Sequence, residues 1–178
     1  MIIYSPMNET DLRNILYTAQ LSLDYPIAIR YPRGRGKIVD WKKGFEKIEI
    51  GKGKLLKDGN KIAILSNGFI GYNVSEALEG ISNKNNFAHY DFSFVKPLDE
   101  NLLHTIFQRF EKLITLENGT IKGGFGSSIL EFGSEHGYKL PIKTLGIPDE
   151  FIEHGTVEEL QQYCKIDIKS LQIIFESY

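Results

Sequence analysis

Two arginines at the end of an apolar run are the residues of this sequence best suited to bind an anion. Arg30 and Arg33 stand in the segment Arg-Tyr-Pro-Arg-Gly at 30–34, directly after the apolar residues 26–29. A guanidinium offers a planar fork of N–H donors that matches a phosphate or a carboxylate. Since ligands in open α/β sheets bind at the carboxyl ends of strands, the pattern predicts an anion site here. The alternative is a pair of solvated or salt-bridged arginines at the edge of a domain.

A glycine-rich segment in front of a helical pattern is a second candidate anion site. The residues Gly-Gly-Phe-Gly-Ser-Ser at 123–128 precede a predicted helix that ends near Glu135. The first amides of a helix have no partner within the helix, so an anion can bind there. The segment lacks the Lys-Ser/Thr pair that ends a P-loop. We favour a tight strand-to-helix turn in which glycine permits close packing.

The other polar motifs give no specific catalytic or metal site. The triplet Asp-Gly-Asn at 58–60, with an Asn pair at 85–86, could supply oxygen ligands, but Lys57 beside it opposes a cation. We interpret the triplet as a turn. Cys164, the single cysteine, excludes an internal disulfide and reads as a small apolar residue. The histidines lack zinc or Ser-His-Asp spacing and read as surface or packing residues: His89, His104, His136 and His154.

Composition limits the classes of protein and partner. The 178 residues are 42% hydrophobic and 25% charged, with a net charge of −2. This mixture can bury a core, and it offers no broad basic field for nucleic acid or an anionic membrane. The apolar runs are too short to cross a bilayer. The first residues do not resemble a signal peptide, so we expect a cytoplasmic protein that binds neither nucleic acid nor membrane.

The apolar pattern divides the chain into two structural parts. Residues 1–35 read as strand, helix and strand, with Asn8 as the N-cap of the helix. One helix cannot cover both faces of a sheet, so this part looks like the end of a larger domain. Residues 36–49 are charged and contain glycine, which is typical of a linker. Residues 50–178 then alternate strands with helices.

That alternation predicts an α/β fold with a mostly parallel sheet and one antiparallel edge strand. The edge strand comes from a predicted hairpin in which residues 53–57 and 61–65 pair across the turn at 58–60. Helices are predicted after most strands, and two further helices close the chain. There is no internal repeat.

Several segments, spread over nearly the whole chain, form a recognisable set: Pro-Ile-Ala-Ile-Arg-Tyr-Pro-Arg-Gly at 26–34, Ile-Gly-Lys-Gly at 50–53, Phe-Val-Lys-Pro-Leu-Asp at 94–99, the glycine-rich turn, and Gly-Ile-Pro-Asp at 146–149. Together and in this order, they resemble the C-terminal part of the 1-deoxy-D-xylulose-5-phosphate synthase family, which is transketolase-like and depends on thiamine diphosphate. The segments at 94–99 and 146–149 are the most specific. The glycine-rich turn is shared more widely among transketolase-like enzymes.

The resemblance implies a fold, a reaction, and which functions belong to this chain rather than to the rest of the enzyme. A transketolase C-terminal domain at 50–178 would follow a β-α-β remnant of the pyrimidine-binding domain at 1–35. Members of this family condense pyruvate with glyceraldehyde 3-phosphate, with loss of CO₂, for isoprenoid, thiamine and pyridoxal biosynthesis. Thiamine diphosphate and Mg²⁺ would belong to the full-length protein, with none held by this chain. The chain alone would be inactive and would serve substrate-phosphate binding and assembly of a homodimer together with the upstream domains.

The resemblance transfers few functional residues. Arg33 matches the arginine that binds the phosphate of glyceraldehyde 3-phosphate, and Arg30 is a weaker candidate for the same role. No catalytic, cofactor or metal residue is implied. Many relatives carry a second carboxylate after the one at Glu117, where this chain has Asn118.

Two other functions are consistent with the pattern. The chain could be a free-standing α/β anion-binding or regulatory module that uses the turn at 123–128. It could also be another transketolase-like subunit, such as the β subunit of a 2-oxoacid dehydrogenase. The segments at 94–99 and 146–149 favour the synthase.

Overall fold

A computed structural model describes residues 1–21, 23–34 and 42–178 of the chain. Eight strands are described: β1 (Ile2–Tyr4), β2 (Ile27–Ile29), β3 (Lys54–Lys57), β4 (Ile62–Asn67), β5 (Phe87–Asp91), β6 (Phe94–Lys96), β7 (Lys112–Thr120) and β8 (Ile142–Ile147). Six α-helices are described: α1 (Glu9–Ala19), α2 (Gly71–Glu79), α3 (Glu100–Arg109), α4 (Phe125–Glu135), α5 (Val157–Tyr163) and α6 (Ile168–Glu176).

A five-stranded sheet with helices on both faces forms the body of the C-terminal part. Its order is β3-β5-β4-β7-β8, and all pairs are parallel except that of β3 with β5. One face packs against α2 and α6, and the other against α3 and α4. The central strand β4 is buried along its whole length. The predicted α/β class, with a mostly parallel sheet and one antiparallel edge strand, is therefore confirmed.

The predicted hairpin between β3 and β4 is wrong. The antiparallel partner of β3 is β5, which lies between β3 and β4 in the sheet. The chain after β3 crosses the start of β5, where the amide of Lys61 donates to the carbonyl of Asn86. A strand as apolar as β4 is most stable between two parallel neighbours, and it pairs with β5 and β7.

The predicted β-α-β unit at the start of the chain forms a second, three-stranded sheet. Its order is β2-β1-β6, with β1 parallel to β2 and antiparallel to β6. The place of β6 in this sheet was not predicted from the sequence. The rings of Tyr4 and Phe94 meet edge to face at 4.5 Å and lie in the core that this sheet shares with α1. Strand β6 thereby ties the first part of the chain to the second.

The predicted linker, residues 36–49, lies partly outside the described residues. Its described part runs along α1, where the amide of Ile48 donates to Oγ1 of Thr18 at 2.9 Å. The ring of Phe45 stacks on Tyr17. The division into domains at these boundaries stays a prediction. Within the described ranges, no helix is both long and apolar enough to cross a membrane.

Candidate functional site

The carboxyl ends of β1 and β2 open onto a cavity of about 370 Å³ that Arg33 lines. The two strands are parallel, so the residues that follow them meet at one edge of the small sheet. Asn8 caps α1 at this edge by accepting a hydrogen bond from the amide of Asp11 at 2.9 Å. The lining comes from four places in the chain: the loop after β1, the first turns of α1, residues 31–34, and Phe69 after β4.

The electrostatics of this cavity suit a charged ligand with polar groups. Arg33 is exposed, and no carboxylate among the described residues forms an ion pair with it. Glu9 also lines the cavity, and its buried Oε2 has no hydrogen-bond partner in the described part of the chain. A free guanidinium attracts an anion, whereas the carboxylate repels one and can accept a hydrogen bond from a hydroxyl.

Arg30 lies beside a smaller cavity of about 50 Å³ that adjoins the first. Its amide donates to the carbonyl of Tyr4 at 2.8 Å, which continues the pairing of β1 and β2. Asn67 and Asn118 line the same small cavity. The family resemblance led us to expect a second carboxylate at position 118, where this chain has Asn118. The amide at this position adds no negative charge next to Arg30.

The glycine-rich turn is filled by a side chain of the protein itself. Glu117 is buried, and its two carboxylate oxygens accept from the amides of Phe125 at 2.9 Å and Gly126 at 2.8 Å. These are amides at the start of α4 that an anion would use. A Cβ on Gly124 would stand 2.3 Å from Glu117 Oε2 and 2.2 Å from the carbonyl oxygen of Thr120. Glycine is therefore required because the carboxylate packs directly on the backbone.

We expect inorganic phosphate to leave the turn at 124–128 unaffected. The amides of Phe125 and Gly126 already donate to Glu117, and a phosphate would have to displace a buried carboxylate to reach them. Titration followed by amide shifts in ¹⁵N-labelled protein measures this directly. Saturable shifts confined to these amides would instead favour the regulatory module described above.

A buried polar cluster on β4, β5 and α2 was not anticipated from the sequence. His89 contacts Ser66 Oγ through Nε2 at 2.8 Å and Ser75 Oγ through Nδ1 at 3.3 Å. Burial, with a smaller contribution from Lys57, lowers the pKa of His89 to about 3. Ser66 is fully buried, so no substrate reaches the pair, and its role is to hold the sheet against α2. The only sequence signal is polar residues at alternate positions of apolar strands.

Asp91 belongs to the same region of β5 and is also buried. Its Oδ2 accepts from Ser93 Oγ at 2.7 Å, and its Oδ1 has no partner among the described residues. Burial raises the pKa of this carboxyl group to about 6. The amide of Ser5 donates to the carbonyl of Ser93, so Asp91 lies close to the junction of the two sheets.

The triplet at 58–60 is engaged in contacts that hold the turn. Asp58 forms an ion pair with Arg109 at 2.7 Å, and Lys57 Nζ donates to the carbonyl of Asp58 at 3.1 Å. These contacts leave Asp58 facing cations of the protein itself. In the described parts of the chain, no three His, Cys, Asp or Glu side chains cluster in a way that could hold a metal ion.

The other candidate residues have packing or surface positions. His104 contacts the hydroxyl of Tyr138 through Nδ1 at 2.8 Å, and its ring meets that of His136 at 4.7 Å. His154 is exposed. Cys164 packs against the core between the sheet and α6, as expected for a small apolar residue.

Comparison with known proteins gives one family and a consistent set of relatives. The family model of the transketolase C-terminal domain matches residues 51–171. The 1-deoxy-D-xylulose-5-phosphate synthase of Parabacteroides distasonis is 50% identical over 96% of this chain and 27% of that protein. The synthase of Bacteroides thetaiotaomicron is also 50% identical, with the same coverage. That of Vibrio vulnificus is 39% identical over the whole chain. The chain thus spans little more than a quarter of the length of these relatives.

Two solved structures share the fold at low sequence identity. The inactive β4 tetramer of a split gene transketolase superposes with a TM-score of 0.85 at 23% identity, covering 99% of this chain and 57% of that one. The transketolase of Campylobacter jejuni gives a TM-score of 0.68 at 16% identity, covering 99% and 26%.

Proposed function

The chain belongs to the transketolase C-terminal domain family, and from this we propose that it acts as the C-terminal part of a 1-deoxy-D-xylulose-5-phosphate synthase. The whole enzyme condenses pyruvate with glyceraldehyde 3-phosphate and releases CO₂. The similarity to synthases at 50% identity over 96% of the chain is the observation that carries this proposal. The reaction takes place in the cytoplasm and feeds isoprenoid, thiamine and pyridoxal biosynthesis.

Within that enzyme, Arg33 binds the phosphate of glyceraldehyde 3-phosphate. Three observations support this role: the guanidinium is exposed, it lines a cavity at the carboxyl ends of two parallel strands, and no carboxylate in the described residues neutralises it. Arg30, which lines the smaller adjoining cavity, adds positive charge and anchors the segment through its backbone.

The thiamine diphosphate and Mg²⁺ of the reaction are bound by the rest of the enzyme. When bound, thiamine diphosphate stabilises the carbanion formed from pyruvate. The described residues do not fit Mg²⁺ or the diphosphate that it holds. The candidate ligand from the sequence, Asp58, pairs with Arg109 and lies beside Lys57. We therefore expect the chain by itself to be inactive.

The second role of the chain is assembly with the upstream domains into a homodimer. Large apolar side chains are exposed on the C-terminal part, among them Phe151, Tyr163 and Ile173. Exposed apolar surface of this kind favours association. Sedimentation of the purified chain at increasing concentration tests this role, and a strict monomer at high concentration speaks against it.

We expect Arg33→Ala to raise KM for glyceraldehyde 3-phosphate about 10- to 100-fold in the full-length enzyme, because a charge-assisted contact contributes roughly 1.5–3 kcal/mol. The KM for pyruvate should not change, since pyruvate carries no phosphate. Steady-state kinetics with each substrate varied in turn gives both constants. Arg109→Ala is the matched control, because Arg109 is also exposed but pairs with Asp58 away from the cavity. An unchanged KM for the aldehyde in Arg33→Ala removes the proposed role.

The gene offers a direct test of the larger proposal. An in-frame sequence upstream of Met1, or a companion gene, should encode a Gly-Asp-Gly triplet followed by an Asn, which hold Mg²⁺ and diphosphate in this family. The purified 178-residue chain should show no turnover of pyruvate. Turnover by the chain alone would contradict the proposed division of labour.

A further inference from the structure

The loop that follows β4 reaches from the five-stranded sheet to the cavity of Arg33. Phe69, in this loop, lines both that cavity and the smaller one beside Arg30. Among the described residues, Phe69 is the lining residue of the Arg33 cavity that comes from the C-terminal part of the chain. The other described lining residues lie between Pro6 and Gly34. Residues from both parts of the chain therefore line the cavity, which lies at the junction of the two sheets.

The position of Phe69 is fixed by its neighbours in the loop. Asn67 donates through Nδ2 to the carbonyl of Phe92 at 2.7 Å, which holds the end of β4 against the end of β5. Gly68 has φ +77°, and a Cβ there would stand 2.9 Å from Cβ of Ser5. Only glycine allows this close approach with a left-handed backbone, so the loop is seated on the chain after β1.

The ring of Phe69 also has a side-chain support. It contacts the ring of Tyr72 in the first turn of α2 at 5.5 Å between centroids. The next residue, Ile70, is buried in the core beneath α2. An aromatic side chain that packs on Tyr72 and is followed by a buried residue forms a defined wall of the cavity.

We infer that Phe69 is a specificity-determining residue of the Arg33 cavity and packs against the carbon chain of the phosphorylated aldehyde. The inference rests on the proposed function, because it takes Arg33 as the phosphate-binding residue. An apolar ring in the wall of the cavity that Arg33 lines offers an apolar surface to the carbon chain of a ligand whose phosphate binds the guanidinium. The carboxylate of Glu9 repels a phosphate. This repulsion favours the ligand orientation in which the phosphate lies next to Arg33 and the short carbon chain lies along the ring of Phe69.

The C-terminal domain would therefore have a second role besides assembly. It supplies one wall of the substrate site, and the site is complete only when the domain packs on the first part of the chain. A substrate lacking the phosphate loses the contact to Arg33, and a bulkier aldehyde meets the ring of Phe69. The cavity therefore selects short phosphorylated aldehydes.

The test uses the full-length enzyme with Phe69→Ala and Phe69→Trp. We expect KM for glyceraldehyde 3-phosphate to rise about tenfold in Phe69→Ala, where the wall is lost, and by a similar factor in Phe69→Trp, where the cavity narrows. The KM for pyruvate should stay within twofold of wild type. Phe45→Ala is the matched control, because Phe45 is an exposed aromatic that stacks on Tyr17 away from the cavity.

The outcomes separate this inference from the proposed function. If Arg33→Ala raises KM for the aldehyde but both Phe69 variants leave it unchanged, the inference is wrong and the proposed function stands. If none of the three variants changes that KM, the proposed phosphate-binding role of Arg33 fails as well. Equal increases in KM for both substrates would show a general structural role of Phe69 and overturn the inference. Should Phe69→Ala fail to fold, Phe69→Trp alone decides.

Discussion

Replacing Glu117 by alanine is expected to lower the free energy of unfolding by at least about 3 kcal/mol, because each hydrogen bond to a charged group contributes roughly 1.5–3 kcal/mol. The buried carboxylate accepts two backbone amides at the start of α4, and alanine leaves both without a partner in a site that water does not reach. Urea denaturation measures the loss as a shift of the midpoint at constant slope.

Two variants define the origin of that loss. Glu117→Gln keeps one acceptor oxygen, so we expect about half the effect of Glu117→Ala. Glu131→Ala is the matched control, since Glu131 is an exposed residue of the same helix and surface substitutions usually change stability by less than about 0.5 kcal/mol. A loss below about 1 kcal/mol in Glu117→Ala would contradict the capping role, because it is smaller than one charged hydrogen bond.

The role of Glu117 could not be predicted from the sequence. The glycine-rich segment correctly indicated a tight turn before a helix, and its free amides suggested an external anion. The carboxylate that satisfies them lies on β7, eight positions before Phe125. Its partner amides could not be identified until the path of the turn was known. The Cβ clash at Gly124 with the same carboxylate links the two observations.

Local signals predicted local structure, and non-local pairing was not predicted. The cap of α1 by Asn8 follows from residues three positions apart and is confirmed. The partner of β3 depended on whether β5 would insert beside it, some 30 residues later, and the prediction of a hairpin was wrong. The pairing of β1 with β6 joins residues about 90 positions apart. No periodicity within either strand identifies the other.

The candidate site follows the same rule. Arg33 was singled out because it lies in a short motif that can bind an anion and that matches a family pattern, and its role stays a prediction. Phe69 was not singled out, because a single aromatic residue in a Gly-Phe-Ile loop has many possible neighbours. Both residues line one cavity only when the two sheets are in place. The signal that remained in the sequence was Gly68, a glycine directly after an apolar strand.

Acidification is expected to change stability very little between about pH 4 and pH 6, because two buried groups on β5 act in opposite directions. The pKa of Asp91 rises from 3.8 to about 6 on folding, so its contribution is fully present below 3.8 and is lost as pH rises through 6. The pKa of His89 falls from 6.5 to about 3, so its contribution is present above 6.5 and is lost as pH falls toward 3.

Within the shared window, each group changes the free energy of unfolding by about 1.4 kcal/mol per pH unit, with opposite sign. The whole effect is about 3 kcal/mol for Asp91 and about 5 kcal/mol for His89, from 1.36 kcal/mol times each pKa difference. Below about pH 4 only the His89 effect continues, so the protein should lose stability steeply there.

A substitution of Asp91 or of His89 should remove one of the two opposing contributions to the pH dependence of stability. Asp91→Asn is expected to be more stable than wild type by about 3 kcal/mol at pH 7, since it removes an ionised carboxylate from a buried site. It should also lose about 1.4 kcal/mol per unit as the pH falls from 6 to 4. His89→Gln, which keeps a hydrogen-bonding group near Ser66, should instead become more stable as the pH falls from 6 to 4.

Urea denaturation of wild type and both variants at pH 4, 5, 6 and 7 gives the slope of the free energy of unfolding against pH. The effects of surface carboxylates cancel in the differences between each variant and wild type. Parallel curves for wild type and both variants would contradict the opposing titration of His89 and Asp91.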